Sequence, residues 1–433
     1  METLYYDRAL ETADRAALEA HQLARLRPLL DTLLAHNRFY GPRLRAVGLT
    51  CGADLRTLDD LRHLPFTHKH ELVADQAAHP PYGTFHTYPP SAYTRLHQTS
   101  GTTGKPLRLA DTPESWDWWL RCWGFVYRAA GVTAEDRVFC AFSFGPFIGF
   151  WAAFEGAQRL GAMVIAGGGQ TSEQRLQMLR DHEVTVLVCT PTYALRLAEV
   201  AREQGLDPSA TAVRLTIHAG EPGANIPSTK RRIEQAWGAR CIDHAGATEV
   251  GAHSFEAYEE PGGIYVNEAE FIVEVLDPAT GAPADEGELV LTNLGRAGCP
   301  VLRYRTGDRV RVARDHRGSR TFRWLEGGIL GRVDDMLTVR GVNVFPSAIE
   351  NLVRRFGEVD EFAVEVYQER AMDELELQLE VARGEPQVIC EAVTRELWVA
   401  LGFRPRVRAV PVGSLPRFEL KARRVRDRRP RPA

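Results

Sequence analysis

Lysine is almost missing from this 433-residue chain: of 53 basic residues, only Lys69, Lys105, Lys230 and Lys421 are lysines. A compact ammonium does what a planar guanidinium cannot, so each of the four is a candidate for a specific task. Paired cysteines are missing as well. Cys51, Cys122, Cys140, Cys189, Cys241, Cys299 and Cys390 stand singly, with no C-x-x-C spacing, which argues against a disulfide framework. Cys241, His244, His253 and Cys299 could be brought together around zinc, but isolated Cys and His are far more often packing residues. No apolar run reaches the roughly 18 residues of a membrane span. The Met1 end has no basic segment leading into an apolar one, so neither a membrane partner nor a signal peptide is expected. An excess of positive charge is also missing: a net charge of -4 gives no general attraction for nucleic acid or anionic lipid. What remains, at 44% hydrophobic and 25% charged, is the composition of a globular enzyme expected in the cytoplasm, long enough for more than one core.

The order of elements points to an α/β chain. Leucines 23, 26, 30, 33 and 34 recur at helical spacing, so residues 14–36 read as an amphipathic helix containing Pro28. From Arg137 a strand-helix rhythm begins with "RVFCAF", "GAMVIAGG", "VTVLVCT", "VRLTIHAG" and "ARCIDHAG" separated by helical stretches, one of them opening on a Thr171 to Gln174 capping box. Such alternation means a mainly parallel sheet flanked by helices, with its site at the carboxyl ends of the strands. From 263 to about 324 strand follows strand, which reads as a small antiparallel barrel or meander. Beyond it a helix, two alternating strands, a helix and a strand form a second, smaller α+β unit. On charge alone the Arg-rich end "KARRVRDRRPRPA" is a solvated tail.

One loop carries unusual chemistry. In "LHQTSGTTGKPLRLA" two short alternating strands flank Thr99, Ser100, Gly101, Thr102, Thr103, Gly104 and Lys105. The glycines let backbone N–H groups converge, the hydroxyls add donors and Lys105 adds charge, an inventory suited to polyphosphate. The spacing is not that of a Walker A loop, and Pro106 stands where its Ser or Thr would follow the lysine.

This loop, "GEPG" (220–223), "GATEVG" (246–251), "YRTGD" (304–308), "GRVDDMLTVRGVNVFPSAIE" (331–350) and "SLPRFELKARRV" together resemble the adenylate-forming superfamily, most closely its phenylacetate-CoA ligase family. The resemblance implies a large N-terminal adenylation domain, 1–333, and a small mobile C-terminal domain, 334–433. It implies ATP, Mg2+ and coenzyme A as cofactors and co-substrate, and a small carboxylic acid made into an acyl-adenylate and then a thioester. Two other readings stay open: transfer to a carrier-protein thiol or an amine, and adenylyl transfer to a deazaflavin coenzyme. A homodimer is likewise left open.

Carried over residue by residue, the resemblance makes the 99–105 loop the triphosphate cradle. It gives Glu249, after Thr248, a metal-facing carboxylate for magnesium. Asp308 would accept the ribose hydroxyls, Arg332 would add a cation near the nucleotide, and Gly220, Glu221 and Pro222 would wall the base with His244, Ala245 and Gly246. The family's adenine-stacking aromatic is here Ala245, and His244 is a candidate to compensate. Lys421 would be the lysine that bridges carboxylate and α-phosphate. Asp334 would be the hinge, with Arg340, Gly341, Val342 and Asn343 swinging toward the thiol channel. The acid pocket would be formed by Phe142, Phe144, Phe147 and Trp151, with Ala245, Gly246 and Ala247 beside them; an aromatic lining without a carboxylate suits an aryl or arylalkyl acid.

Overall fold

The computed structural model describes residues 4–99, 106–333, 337–339, 342–369, 372–418 and 422–429. Within them lies an eight-stranded sheet in the order Trp324–Glu326, Glu260–Val266, Gly251–Ala257, Arg240–Ala247, Leu215–His218, Val186–Cys189, Arg137–Cys140, Met163–Ala166. The last five run parallel, and the first four pair antiparallel. Side chains alternate across this sheet because a strand repeats every two residues. Val138, Cys140, Val186 and Val188 join the core under the helices Pro113–Ala129 and Ile148–Arg159. Phe139 and Leu187 turn to the other face, where they meet Tyr193, Leu197, Ile233 and Trp237.

The helix Arg15–His36 starts where Asp14 accepts the Ala17 N–H and carries Pro28 inside it. The capping box also forms, Thr171 and Gln174 bonding each other's backbone at the start of Ser172–Asp181. The strand-rich middle divides differently from a single meander. Glu260–Val266 and Trp324–Glu326 complete the large sheet, whereas Phe271–Leu276, Glu286–Asn293, Tyr304–Arg311 and Gly331–Arg332 make a separate four-stranded antiparallel sheet.

The C-terminal part has its own core, with Ile349, Val353, Phe362, Leu377, Val393 and Leu397 buried between helices Pro346–Val353 and Pro386–Leu401 and the hairpin Val359–Glu369 with Met372–Val381. Here the tail departs from its reading on charge. Val425–Asp427 joins this sheet parallel to residues 364–366, and Arg424 is buried. Among the described residues no helix is long and apolar enough to cross a membrane, and no group of three or more His, Cys, Asp and Glu is placed to hold a metal ion.

Candidate active site

The parallel strands end on one edge, so the turns that follow Cys140, Cys189, His218 and Ala247 share it. The second turn becomes a helix at once: Thr190 accepts the Tyr193 N–H and Pro191 occupies the first position of Pro191–Glu203. The third turn packs onto that helix start. Gly223 has φ +155°, and a Cβ there would lie 2.4 Å from the Cβ of Pro191, so no side chain fits.

The fourth turn holds Thr248 and Glu249. Beneath it lies Arg296, fully buried, which donates from Nη1 to the carbonyl oxygens of Thr248 (2.8 Å) and Glu249 (3.2 Å). Its other face is gripped by Asp111, accepting from Nε at 2.7 Å and Nη2 at 2.8 Å. Burial works to raise the Asp111 carboxyl, but the Arg296 charge together with hydrogen bonds from His97 and Arg296 holds the group below its ordinary range. Asp111 ends the strand Arg108–Asp111, which pairs with Arg95–Gln98 as the two short strands around the 99–105 loop were expected to do. One ion pair therefore ties that hairpin to the Glu249 turn.

The Glu249 side chain is buried and its Oε1 lies 2.7 Å from Lys69 Nζ, which is about half exposed. Lys69 opens the helix Lys69–Ala78 behind a His68 to Glu71 capping box. The residue before that box is stitched to the β-rich sheet: Thr67 N–H donates to the Arg303 carbonyl, and Arg305 N–H donates to the Thr67 carbonyl. Lys69 was not among the expected site residues, although the scarcity of lysine was the signal that pointed to it.

Asp308 and Arg332 are cross-strand partners in that sheet, with Nη1 3.3 Å from Oδ1. Gly307 between them and Thr306 has φ +76°, and a Cβ there would meet the Arg332 guanidinium at 2.7 Å. The Asp308 N–H is held by Thr306 Oγ1 at 3.0 Å. The carboxylate and the guanidinium are thus presented together, as a pair suited to a diol and a phosphate.

On the strand Arg240–Ala247, Ala245, Gly246 and Ala247 are partly or fully exposed along the cleft, while His244 is buried. His244 is the expectation that the geometry corrects. Strand alternation turns its ring inward, 4.6 Å from Trp123, with Nδ1 2.7 Å from the Ser254 carbonyl. Burial pulls its pKa down to about 4, so it is a neutral core residue and not a substitute stacking ring. Asp243 beside it is also buried, and its N–H donates to Glu256, which Lys230 contacts through both oxygens. Burial, then the Glu256 charge, push the Asp243 carboxyl up to about 7 against the pull of Lys230.

The aromatic turn splits in two. Phe142 is buried and stacks on Phe150 at 4.2 Å, so it packs in the core and not at the surface of the turn. Phe144 and Phe147 are partly exposed, and Trp151, at the surface, fixes the turn by donating from Nε1 to the Gly145 carbonyl at 3.0 Å. Phe144 meets Phe154 edge-on and is tilted against Trp151. Phe150 and Phe154 were not among the expected residues; they follow Phe147 and Trp151 at helical spacing in Ile148–Arg159.

Glu221, expected as part of a nucleotide wall, has its carboxylate engaged by two backbone N–H groups. Its Oε1 accepts the Thr192 N–H at 3.0 Å and its Oε2 the Ala422 N–H at 2.5 Å. Ser100, Gly101, Thr102, Thr103, Gly104, Lys105, Asp334, Arg340, Gly341 and Lys421 lie outside the described residues, as does the Asn343 side chain. Val342 is in the strand Val342–Val344 and packs on the C-terminal core.

Comparison with known proteins identifies the family of the chain. Residues 67–296 match the family described as AMP-binding enzyme, and residues 341–429 match the AMP-binding enzyme C-terminal domain. The chain is 35% identical to the phenylacetate-coenzyme A ligase of Pseudomonas putida over 98% of both chains. It is 33% identical to that of Escherichia coli strain K12 over 97% of both. Among solved structures, 2-hydroxyisobutyryl-CoA ligase in the postadenylation state with 2-HIB-AMP superposes with a TM-score of 0.92 at 30% identity, covering 98% of this chain and 92% of that one. The same enzyme in the thioesterification state, with 2-HIB-AMP and CoA, gives 0.74 at 31% identity, covering 99% and 93%. This chain belongs to the adenylate-forming superfamily and, within it, to the phenylacetate-CoA ligase family.

Proposed function

We propose that the chain makes an acyl-CoA from an aryl or arylalkyl carboxylic acid in two steps at one site. The acid carboxylate attacks the α-phosphorus of ATP, the bond to pyrophosphate breaks, and an acyl-adenylate forms; the thiol of CoA then attacks the acyl carbon, and AMP leaves. The observation that carries this reading is the Glu249 turn, a buried carboxylate with Arg296 beneath its backbone and Lys69 on its side chain. It shares the cleft edge with the Gly220, Glu221 and Pro222 turn and the Ala245 to Ala247 strand end.

In this reading the 99–105 loop takes the phosphates and Asp308 accepts the ribose hydroxyls beside Arg332. Ala245 and Gly246 line the base on one side, and Phe144 and Phe147 meet the acyl group. A single buried carboxylate with hard oxygen donors is a fitting protein ligand for magnesium, whose other positions phosphate and water can fill. Glu249 would hold that ion, with Lys69 sharing the carboxylate. When bound, the ion neutralises charge on the triphosphate. Lys421, in the 334–433 domain, would stabilise the charge that moves between carboxylate and phosphate. Asp334 would be the hinge that carries it out so that residues 340–343 can line the thiol path.

The test is acid-dependent exchange of pyrophosphate into ATP with phenylacetate, benzoate, 2-hydroxyisobutyrate and phenylalanine, followed by product mass after CoA is added. Exchange with the aryl acids and a CoA thioester mass are expected. Exchange with phenylalanine alone, or no exchange with any acid, refutes the reading. Lys421→Ala should remove the exchange while the pre-made acyl-adenylate still yields thioester.

A further inference from the structure

The two hydrogen bonds of Glu221 belong to different parts of the molecule. Thr192 is the second residue of the helix Pro191–Glu203, in the large domain that also carries Glu221. This N–H lies at a helix amino terminus, where a carboxylate is favoured. Ala422 comes 201 residues after Glu221, at the start of the segment that leads into the strand Val425–Asp427 of the small domain. The first bond therefore fixes the carboxylate whatever the small domain does, and the second exists only in the arrangement described.

The residues beyond Ala422 extend the contact. Arg424, buried, donates to Glu361 from Nε at 2.8 Å and Nη2 at 3.1 Å, and from Nη2 to Thr192 Oγ1 at 3.4 Å. Glu350, 3.8 Å from Arg424, accepts from Thr229 of the helix Pro227–Trp237 at 3.4 Å. Arg424 is thus paired with Glu361 and Glu350 inside its own domain, and it reaches the large domain through the Thr192 hydroxyl and through the charge of Glu221. Glu221 is the charged group that holds the tail backbone across the boundary, one peptide from residue 421. The domain arrangement is that of the postadenylation relative, which superposes far better than the same enzyme in its thioesterification state.

We propose that Glu221 is a positioning residue: it docks the backbone at Ala422 on the large domain, sets residue 421 for adenylation, and lets go when the small domain swings for thioester formation. The inference rests on the reading of Lys421 given above. It makes the second residue of "GEPG" a latch for the tail, with its side chain turned from the nucleotide.

Hydrogen exchange by mass spectrometry on the full chain, followed in peptides spanning Ala422, tests the dock without reference to activity. The variants are Glu221→Ala and the near-isosteric Glu221→Gln, which keeps one accepting oxygen. In Glu221→Ala the Ala422 amide should exchange about tenfold faster or more, the change expected for losing a bond to a charged group. With phenylacetate as the probe acid, pyrophosphate exchange should fall about ten- to a hundredfold, and conversion of pre-made phenylacetyl-adenylate to thioester should fall much less. Glu221→Gln should lie between wild type and Glu221→Ala on both readouts. Unchanged protection at Ala422, or an equal fall in both half-reactions, overturns the proposal. If the wild type exchanges with no acid at all, the proposed function fails, and the amide readout still decides whether Glu221 docks the tail.

Discussion

Replacing Arg296 by Met should damage both stability and the first half-reaction, for one structural reason. The guanidinium is fully buried and makes four short contacts, two to Asp111 and two to the carbonyls of Thr248 and Glu249. Methionine fills much of the volume but leaves the Asp111 carboxylate buried without its cation. Breaking a buried pair in this way costs about 3–5 kcal/mol. For a domain of this size that is on the order of 5–10 °C in thermal midpoint. The same change frees the Glu249 turn, so pyrophosphate exchange should fall at least about tenfold, the equivalent of one lost bond to a charged group.

The decisive measurement is a double-mutant cycle with Asp111→Leu, following thermal midpoint and exchange rate together. Removing both charges leaves no buried ion uncompensated, so the double variant should be more stable than Arg296→Met alone by about 2 kcal/mol or more. Its exchange rate should stay low, because nothing then holds the two carbonyls. Additive losses of stability would show that Asp111 and Arg296 do not depend on each other. Recovery of exchange in the double variant would show that Arg296 does not act through the Glu249 turn.

Three further outcomes are expected. Asp243, pushed up to about 7, keeps a proton in the folded chain that the unfolded chain has released, so stability is full below about pH 4 and lost as pH rises through about 7, by on the order of 4 kcal/mol. Asp243→Asn should therefore raise the thermal midpoint over wild type more at about pH 8 than at about pH 5, and an equal difference at both refutes the assignment. Lys69→Met removes the ammonium 2.7 Å from Glu249 and should raise the apparent KM for ATP about tenfold; an unchanged constant returns Lys69 to an ordinary surface pair. Ala245→Tyr should narrow the range of acids accepted while nucleotide affinity holds or improves, and a variant unchanged in both shows that the position faces neither ligand.

What the sequence made legible follows the range of the interaction concerned. Thr171 and Gln174 find each other because a capping box is three residues long, and the strand Val186–Cys189 is readable because four β-branched or apolar residues lie between helices. In "YRTGD" the sequence shows the glycine, and Gly307 takes a left-handed φ inside the strand Tyr304–Arg311. His244 is a different kind of miss. Counting by twos from Ile242, a core residue, puts His244 on the same core-facing side, so the strand period already opposed a role for His244 beside the base.

Long-range pairs leave no such trace. Lys69 meets Glu249 although the two lie far apart in sequence, because Thr67 is sewn to Arg303 and Arg305, and that pairing depends on where a separate sheet sits. Arg296 could have been read as one more arginine in a chain full of them; only its burial, and the two carbonyls within its reach, distinguish it. The tail shows how charge misleads when partners are unseen. Arg424 lies in a run that composition assigns to solvent, yet Glu361 and Glu350 surround it, and the combined attraction raises its pKa further even though burial alone would lower it. A basic residue is solvated only when no acid waits in the fold, and acids such as Glu361, alternating with apolar Phe362 and Val364 along Val359–Glu369, are where the sequence held that information.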